Sequence, residues 1–249
     1  MAVQGSRRKK KRRSALYAPL AFLLICGAIA FALSIFFRVS EIETDGDSRY
    51  TAEEIIEASG IEKGDNLFFI NRFKSMSRIR SKLTYADDVQ INCSMPNRVT
   101  ITVNDTEAIA YIENENRFWH IDANCKLLEV GGSAEAAHLI GVSGITPLAP
   151  AVGDELSVGA DESGKKEYLS ELLGAMEAKE MADKVGSIDL SSTVNAVFDY
   201  DGRFEVKLGR DENIEYKLEL LLSAVEQLPG NNSGTIDLSI DKKAHFSPD

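Results

Sequence analysis

The sequence predicts an α+β protein with an apolar helix near its start, a β-α-α-β-β module, and then a mixed, strand-rich domain with two helices. Three observations support this prediction. An uncharged run lies close to the N-terminus, two helical segments precede two strictly alternating runs, and the remainder is dominated by short strand candidates between polar turns.

The apolar helix is predicted from the run Ala15–Phe37, whose 23 residues include no charge. About 20 apolar residues suffice for a helix to cross a bilayer. Seven bases occupy positions 7–13, whereas only Arg38 adjoins the other end, so the positive-inside rule places the N-terminus in the cytoplasm. A cleaved signal peptide is the alternative, because Ala28-Ile29-Ala30 resembles a cleavage site. The length of the run favours an uncleaved anchor and a single-pass protein of the cell membrane.

Charge divides the chain into two poles. Positions 7–13 carry +7, while 21 of the 28 bases and all 39 acids lie from Arg38 onward, which gives that segment a formal charge of −18. The basic run adjoins the predicted anchor and lacks aromatic residues, so its predicted ligand is lipid of the cytoplasmic membrane. Nucleic acid is not an expected partner, since the acidic exterior would repel phosphate.

The β-α-α-β-β module begins with a half-alternating strand at 39–44. Thr51 and Glu54 form a predicted capping box, and Gly60 is suited to end the helix that follows. A second helix is predicted over 71–83, with its apolar side chains at helical spacing: Phe73, Met76, Ile79 and Leu83. A hairpin is predicted from two alternating runs around Met95-Pro96-Asn97, with Val89, Ile91 and Cys93 on one strand and Val99, Ile101 and Val103 on the other.

The second domain is predicted from shorter signals. Strands are expected at 109–113, 117–121, 126–130, 188–190, 196–200, 203–208 and 235–240, and helices at 166–179 and 214–228. The stretch 131–164 is rich in Gly, Pro and Ala and is predicted to form extended structure and loops. The predicted division is a basic cytoplasmic tail (1–14), an anchor (15–37), the first module (38–107), the strand-rich domain (108–241) and a polar tail (242–249).

Several short patterns occur in one order along the chain. They are Val39-Ser40-Glu41-Ile42 with Asp45-Gly46, Gly60-Ile61-x-x-Gly64-x-Asn66-Leu67-Phe68, Met95-Pro96-Asn97-Arg98-Val99, Trp119-x-Ile121-Asp122, Val206-x-Leu208-Gly209, Lys217-Leu218 and Gly234-Thr235-Ile236-Asp237-Leu238. Together they resemble the FtsQ/DivIB family of bacterial cell-division proteins, whose first exterior module is a POTRA domain. Two positions depart from the family pattern: Asp105-Thr106-Glu107-Ala108 replaces a common Glu-Arg-x-Pro, and Cys125 stands where Gly is common.

The resemblance implies a non-enzymatic scaffold of the division machinery at the septum, without cofactor, metal or small-molecule substrate. Its implied partners are FtsL-like and DivIC/FtsB-like proteins, bound outside the cytoplasmic membrane by the terminal strand and the neighbouring helix. The POTRA module is implied in recruitment and in contacts near the membrane.

The predicted partner-binding residues are those of the last strand: Thr235, Ile236, Asp237, Leu238, Ser239 and Ile240. If this strand ends the sheet, its unpaired N–H and C=O groups can accept a partner strand. Ile236, Leu238 and Ile240 would then pack inward, and Asp237, Ser239 and Asp241 would share the opposite face. The alternative is a strand that completes the sheet with a covered edge.

Catalytic signals are weak. His120 and Asp122 fall on one strand face, but without a third ligand an exposed hairpin face explains them better than a metal site. Of Phe118 and Trp119, one is expected in the core and the other could belong to a sugar-binding platform. Cys93 and Cys125 could pair or be two buried thiols. A membrane-anchored cell-wall enzyme or peptidoglycan-binding protein is the alternative function, and a POTRA-containing component of transport or outer-membrane assembly is a third class.

Overall fold

The computed structural model describes residues 11–230, 232–240 and 243–248. The chain forms two compact units, one made of residues up to Ile79 together with Asp88–Asn104, the other of Arg80–Asp87 and the residues from Asp105 onward. The first residues of the predicted basic tail, up to position 10, lie outside the described residues, as does Asp241.

The first unit begins with helix α1, Lys11–Phe36, which contains Pro19 near its start. Within the described residues, no helix reaches the length and mean hydropathy required of a membrane span. The anchor over 15–37 stays a prediction.

The rest of this region has the predicted β-α-α-β-β order. Its elements are β1 (Glu41–Asp45), α2 (Ala52–Ser59), α3 (Arg72–Lys82), β2 (Ala86–Ser94) and β3 (Arg98–Asp105). They form a three-stranded sheet in the order β1-β3-β2, with β1 parallel to β3.

The predicted cap of α2 is confirmed. The backbone N–H of Thr51 donates to Glu54 Oε2 at 2.8 Å, and the N–H of Glu54 donates to Thr51 Oγ1 at 3.3 Å. Gly60 closes the helix in the left-handed conformation, at φ +65°, which a glycine adopts without steric cost.

The second unit contains one nine-stranded sheet and two α-helices among its described residues. Its elements are β4 (Ala110–Asn114), β5 (Arg117–Ile121), β6 (Leu127–Gly131), β7 (Ile140–Ser143), α4 (Ser163–Ala178), β8 (Val185–Asp189), β9 (Ala196–Tyr200), β10 (Phe204–Gly209), α5 (Ile214–Gln227), β11 (Gly234–Asp237) and β12 (His245–Pro248). The strand order is β12-β11-β10-β9-β8-β7-β4-β5-β6.

Helices α4 and α5 pack against each other and share one apolar core with the sheet. From α4, the buried apolar side chains include Leu169, Leu172, Leu173 and Met176; from α5 they include Ile214, Leu218 and Leu221. The predicted helical spacing of these residues is therefore the core-facing stripe of each helix.

Two strands were not predicted. Strand β7 lies inside the stretch 131–164, for which extended structure and loops are predicted without a defined strand, and it pairs in parallel with β4 and β8. Strand β12 lies in the predicted polar tail. Both have only four residues, so neither carries a recognisable period on its own.

The predicted apolar face of α3 is partly wrong. Ile79 is fully buried, but Phe73 is 83% exposed, and Ser75 takes a buried position on the helix instead. A large aromatic side chain therefore faces solvent on this helix.

Candidate functional site

The predicted last strand is not the edge of the sheet. Strand β12 pairs with β11 in antiparallel register, with Thr235 opposite Ser247 and Asp237 opposite His245. The expectation of a free edge at Thr235–Ile240 is therefore wrong, because the chain turns back and covers that edge with four further residues.

The six predicted residues have different environments. Ile236 and Leu238 are buried as expected, whereas Ile240 is 56% exposed because β11 already ends at Asp237. The N–H and Oγ of Ser239 both donate to Asp237 Oδ1, at 2.9 and 2.6 Å, and this turn ends the strand. Partial burial alone would raise the pKa of Asp237, but the two hydrogen bonds from Ser239 lower it.

The open edge belongs to β12, and the ladder shows which of its groups face outward. Gly234 N donates to Arg203 O and Leu238 N to Lys207 O, so the alternate residues Thr235 and Asp237 direct their backbone groups toward β12. Their partners Ser247 and His245 face β11 in turn. The N–H and C=O of Phe246 consequently point to the open edge, beside Pro248, which has no N–H.

An apolar groove of about 650 Å³ runs between α5 and this edge strand. Its apolar lining includes Leu220 and Ala224 of α5 and Leu228 directly after that helix, together with Ile236 and Phe246 from the strands. The ring of Phe246 meets that of Phe204 edge-on, with centroids 6.1 Å apart. Backbone hydrogen-bonding groups and an apolar groove thus lie side by side, which is the combination that binds an extended peptide.

A bulge at the end of β10 fixes both helices to the sheet. The pairing of β10 with β9 shifts between Lys207 and Gly209, which leaves Leu208 without a ladder partner in β9. Lys217 of α5, only 8% exposed, donates from Nζ to Leu208 O at 3.0 Å and to Arg210 O at 2.8 Å.

The carbonyl oxygen of Gly209, which lies between Leu208 and Arg210, accepts a hydrogen bond from helix α4. Tyr168 of α4 donates its hydroxyl to Gly209 O at 3.0 Å. Burial raises the pKa of the Tyr168 phenol, which therefore remains a donor. Three successive carbonyls of the bulge are bonded to helix side chains, and α5 is held where it forms one wall of the groove.

Two protein-family models match the sequence of this chain. The model described as "POTRA domain, FtsQ-type" covers residues 37–105, and the one described as "Cell division protein FtsQ/DivIB, C-terminal" covers residues 110–239, which is more than half of the chain. The chain belongs to the FtsQ/DivIB family.

Its similarity to curated members extends over most of both chains. It is 27% identical over 225 residues to cell division protein DivIB of Clostridium acetobutylicum, covering 90% of this chain and 88% of the relative. It is 26% identical over 246 residues to DivIB of Clostridium botulinum strain Hall, covering 96% and 93%. The predicted resemblance is thus confirmed.

The backbone at Cys125 explains why glycine is common at this position in the FtsQ/DivIB pattern. Cys125 adopts φ +60°, a left-handed conformation that glycine adopts without cost, and its side chain is fully buried. Burial raises the pKa of its thiol to about 12. Cys93 and Cys125 are both free cysteines in this structure.

His120 and Asp122 do not form a shared site, and the expectation of an exposed hairpin face is wrong. Both are buried, at 2% and 0% exposure. His120 Nδ1 lies 3.1 Å from Glu129 Oε1, while Asp122 Oδ1 accepts from the N–H groups of Asn124 and Lys126. Burial raises the pKa of Asp122, and these two backbone hydrogen bonds oppose that rise.

The remaining candidate for ligand chemistry was the aromatic pair. Trp119 is the core member, at 7% exposure, and the half-buried Phe118 packs against Tyr111 with ring centroids 5.5 Å apart. Among the described residues, no three His, Cys, Asp or Glu side chains are grouped closely enough to hold a metal ion.

Proposed function

We propose that this FtsQ/DivIB-family chain is a non-enzymatic scaffold of bacterial cell division that supports septum formation. It binds FtsL-like and DivIC/FtsB-like proteins outside the cytoplasmic membrane. The observation that carries this proposal is the open edge of β12 beside the apolar groove of α5.

A partner segment binds as an added strand along β12. Its backbone exchanges hydrogen bonds with the N–H and C=O of Phe246, and its alternate side chains enter the groove beside Leu220, Ala224 and Leu228. Pro248 offers no donor to the partner, so the added strand pairs over a short length and in a restricted register.

The membrane anchor is the second part of the proposal. Helix α1 contains the uncharged run except for its last residue, Phe37, and the seven bases at 7–13 hold the N-terminus in the cytoplasm. The chain from Arg38 onward is then tethered outside the membrane, at the division septum, where the partners act.

Two substitutions at Phe246 separate the backbone contribution from the side chain. Phe246→Ala removes the ring but keeps the outward N–H, whereas Phe246→Pro removes both. If a partner strand is added here, tagged full-length Phe246→Pro should retain less FtsL-like and DivIC/FtsB-like protein than Phe246→Ala does, by about fivefold or more, because a hydrogen bond is lost and its acceptor stays unpaired.

A third variant tests the groove. Ala224→Glu places a charge among the apolar lining residues and should reduce co-purification without altering the strand. Equal recovery of the partners with wild type, Phe246→Pro and Ala224→Glu from dividing cells would refute the proposed docking surface.

A further inference from the structure

The first unit exposes three phenylalanines close together in the sequence. Phe68 is 65% exposed, Phe69 84% and Phe73 83%. Phe68, Phe69 and Phe73 line the same surface depression at the start of α3; they are termed the aromatic patch. Exposed apolar patches on an otherwise soluble surface mark contact with another phase or molecule.

Local hydrogen bonds hold the aromatic patch in this conformation. Asn66 Oδ1 accepts from Phe68 N at 3.0 Å, and Asn66 O accepts from Phe69 N at 2.9 Å. Asn71 Oδ1 then accepts from Lys74 N at 3.0 Å and caps α3, which places Phe73 in its first turn. Two asparagines therefore fix the backbone that carries the three rings.

The aromatic patch is joined directly to the end of the predicted anchor. The rings of Phe37 and Phe68 are 4.9 Å apart in an edge-on arrangement, and Leu67 N donates to Phe37 O at 3.0 Å. Val39 N also donates to Asp65 O at 2.8 Å. Since Phe37 is the last residue of the 23-residue uncharged run, a ring in contact with it lies at the level where that run leaves the hydrocarbon.

Helix α3 is positively charged, whereas the chain from Arg38 onward is negatively charged overall. Its eleven residues include five bases and no acid, whereas the segment from Arg38 onward carries −18. Arg72 and Lys74 flank Phe73 directly. A basic helix with exposed aromatic side chains has the composition of a segment that lies in the interface of an anionic membrane.

We infer that the aromatic patch inserts into the outer leaflet of the bilayer that holds α1, with Arg72 and Lys74 against anionic lipid phosphates. The inference rests on the proposed anchor. It gives this POTRA module a second, non-covalent attachment to lipid, which restricts how the module can turn about the end of α1. A protein partner is a less suitable occupant, because the patch is continuous with Phe37 at the membrane boundary.

Full-length Phe69→Trp reconstituted in phosphatidylglycerol vesicles tests the inference. The added indole should emit at shorter wavelength and lose about half or more of its emission when the lipid acyl chains are brominated, as an interfacial aromatic does. The matched control is Asp47→Trp, an exposed position beyond the far end of β1, which should respond to neither change. Trp119 is buried and contributes the same background to both variants.

The charge contribution is tested by adding Lys74→Glu to Phe69→Trp, which should reduce quenching in anionic vesicles and change it little in phosphatidylcholine. A chain that floats with the vesicles after an alkaline wash, but whose added indole is not quenched, would overturn the inference and leave the anchor intact. A blue-shifted but unquenched indole would mean that protein covers the patch, which also overturns it. Failure to float would refute the anchor and the inference together.

Discussion

Replacing Lys217 by methionine tests how α5 and the groove beside it are held against the sheet. Its ammonium group donates to Leu208 O and Arg210 O across the β10 bulge, and only 8% of the residue is exposed. Methionine retains an unbranched apolar stem but no donor. The substitution therefore removes both hydrogen bonds while most of the packing of α5 remains.

The expected loss of stability follows from those contacts. A hydrogen bond involving a charged group contributes about 1.5–3 kcal/mol, and two are lost, but removing the buried ammonium also removes its desolvation cost. We expect the free energy of unfolding of the second unit to fall by about 2–4 kcal/mol. Tyr168→Phe, which removes one neutral hydrogen bond at the same bulge, should cost about 1 kcal/mol.

The assay is urea unfolding of the full chain in mild detergent, followed by Trp119 emission, since this single buried tryptophan lies in the second unit. The control is Lys207→Met, which replaces a lysine of β10 whose side chain is 43% exposed beside Glu205. This substitution should change the free energy of unfolding by no more than about 0.5 kcal/mol. A Lys217→Met variant as stable as that control would refute the structural role given to the bulge.

Two further predictions concern backbone positions. Gly234 has φ +146°, and a Cβ added there would collide with Ser247 O, so Gly234→Ala should displace β12 and speed hydrogen exchange of the Thr235 and Asp237 amides about tenfold or more. Gly202→Ala, also at positive φ but with no atom close to the added Cβ, should leave those amides unchanged. Hydrogen bonds from the backbone and side chain of Thr51 lower the pKa of Glu54. This cap therefore stabilises the fold at pH values above the ordinary glutamate pKa, and its contribution is lost as the pH falls through the lowered pKa. Thr51→Ala keeps the backbone N–H that donates to Glu54 and removes only the hydroxyl, so an NMR titration should find the Glu54 pKa raised part of the way toward its ordinary value. An unchanged pKa would contradict the hydrogen bond from the Thr51 hydroxyl.

The first module could be predicted because its signals are local. The capping box at Thr51 and the stop at Gly60 each depend on a few neighbouring residues. The alternating Val99, Ile101 and Val103 are all fully buried, so the period of the sequence is also the period of the core.

Strands β7 and β12 could not be predicted because they depend on distant partners. Ile140–Ser143 is a strand because β4 and β8 lie on either side of it and satisfy its backbone. His245–Pro248 is a strand because β11 offers an open ladder. Four residues contain too little pattern to indicate either pairing in advance.

The predicted last strand of the core is present as β11, but the open edge of the sheet belongs to β12. The apolar alternation of Ile236 and Leu238 indicated a strand of the core, and both are buried. The alternation does not indicate whether a further strand pairs with β11 on the side opposite β10. His120 was misjudged for the same reason: β5 lies between β4 and β6, and the pairing that buries it involves residues up to Gly131.

The β10 bulge also defines how a mechanical load would pass through this unit. A pull along a strand added to β12 would act in shear on the β12–β11 ladder and then on the parallel β11–β10 pair, so that all the hydrogen bonds of each ladder share it. At the end of β10 the force would divide, since Leu208, Gly209 and Arg210 are each bonded to a helix. Tension applied through such an added strand would thus be distributed over α4 and α5 and would not peel away one short strand.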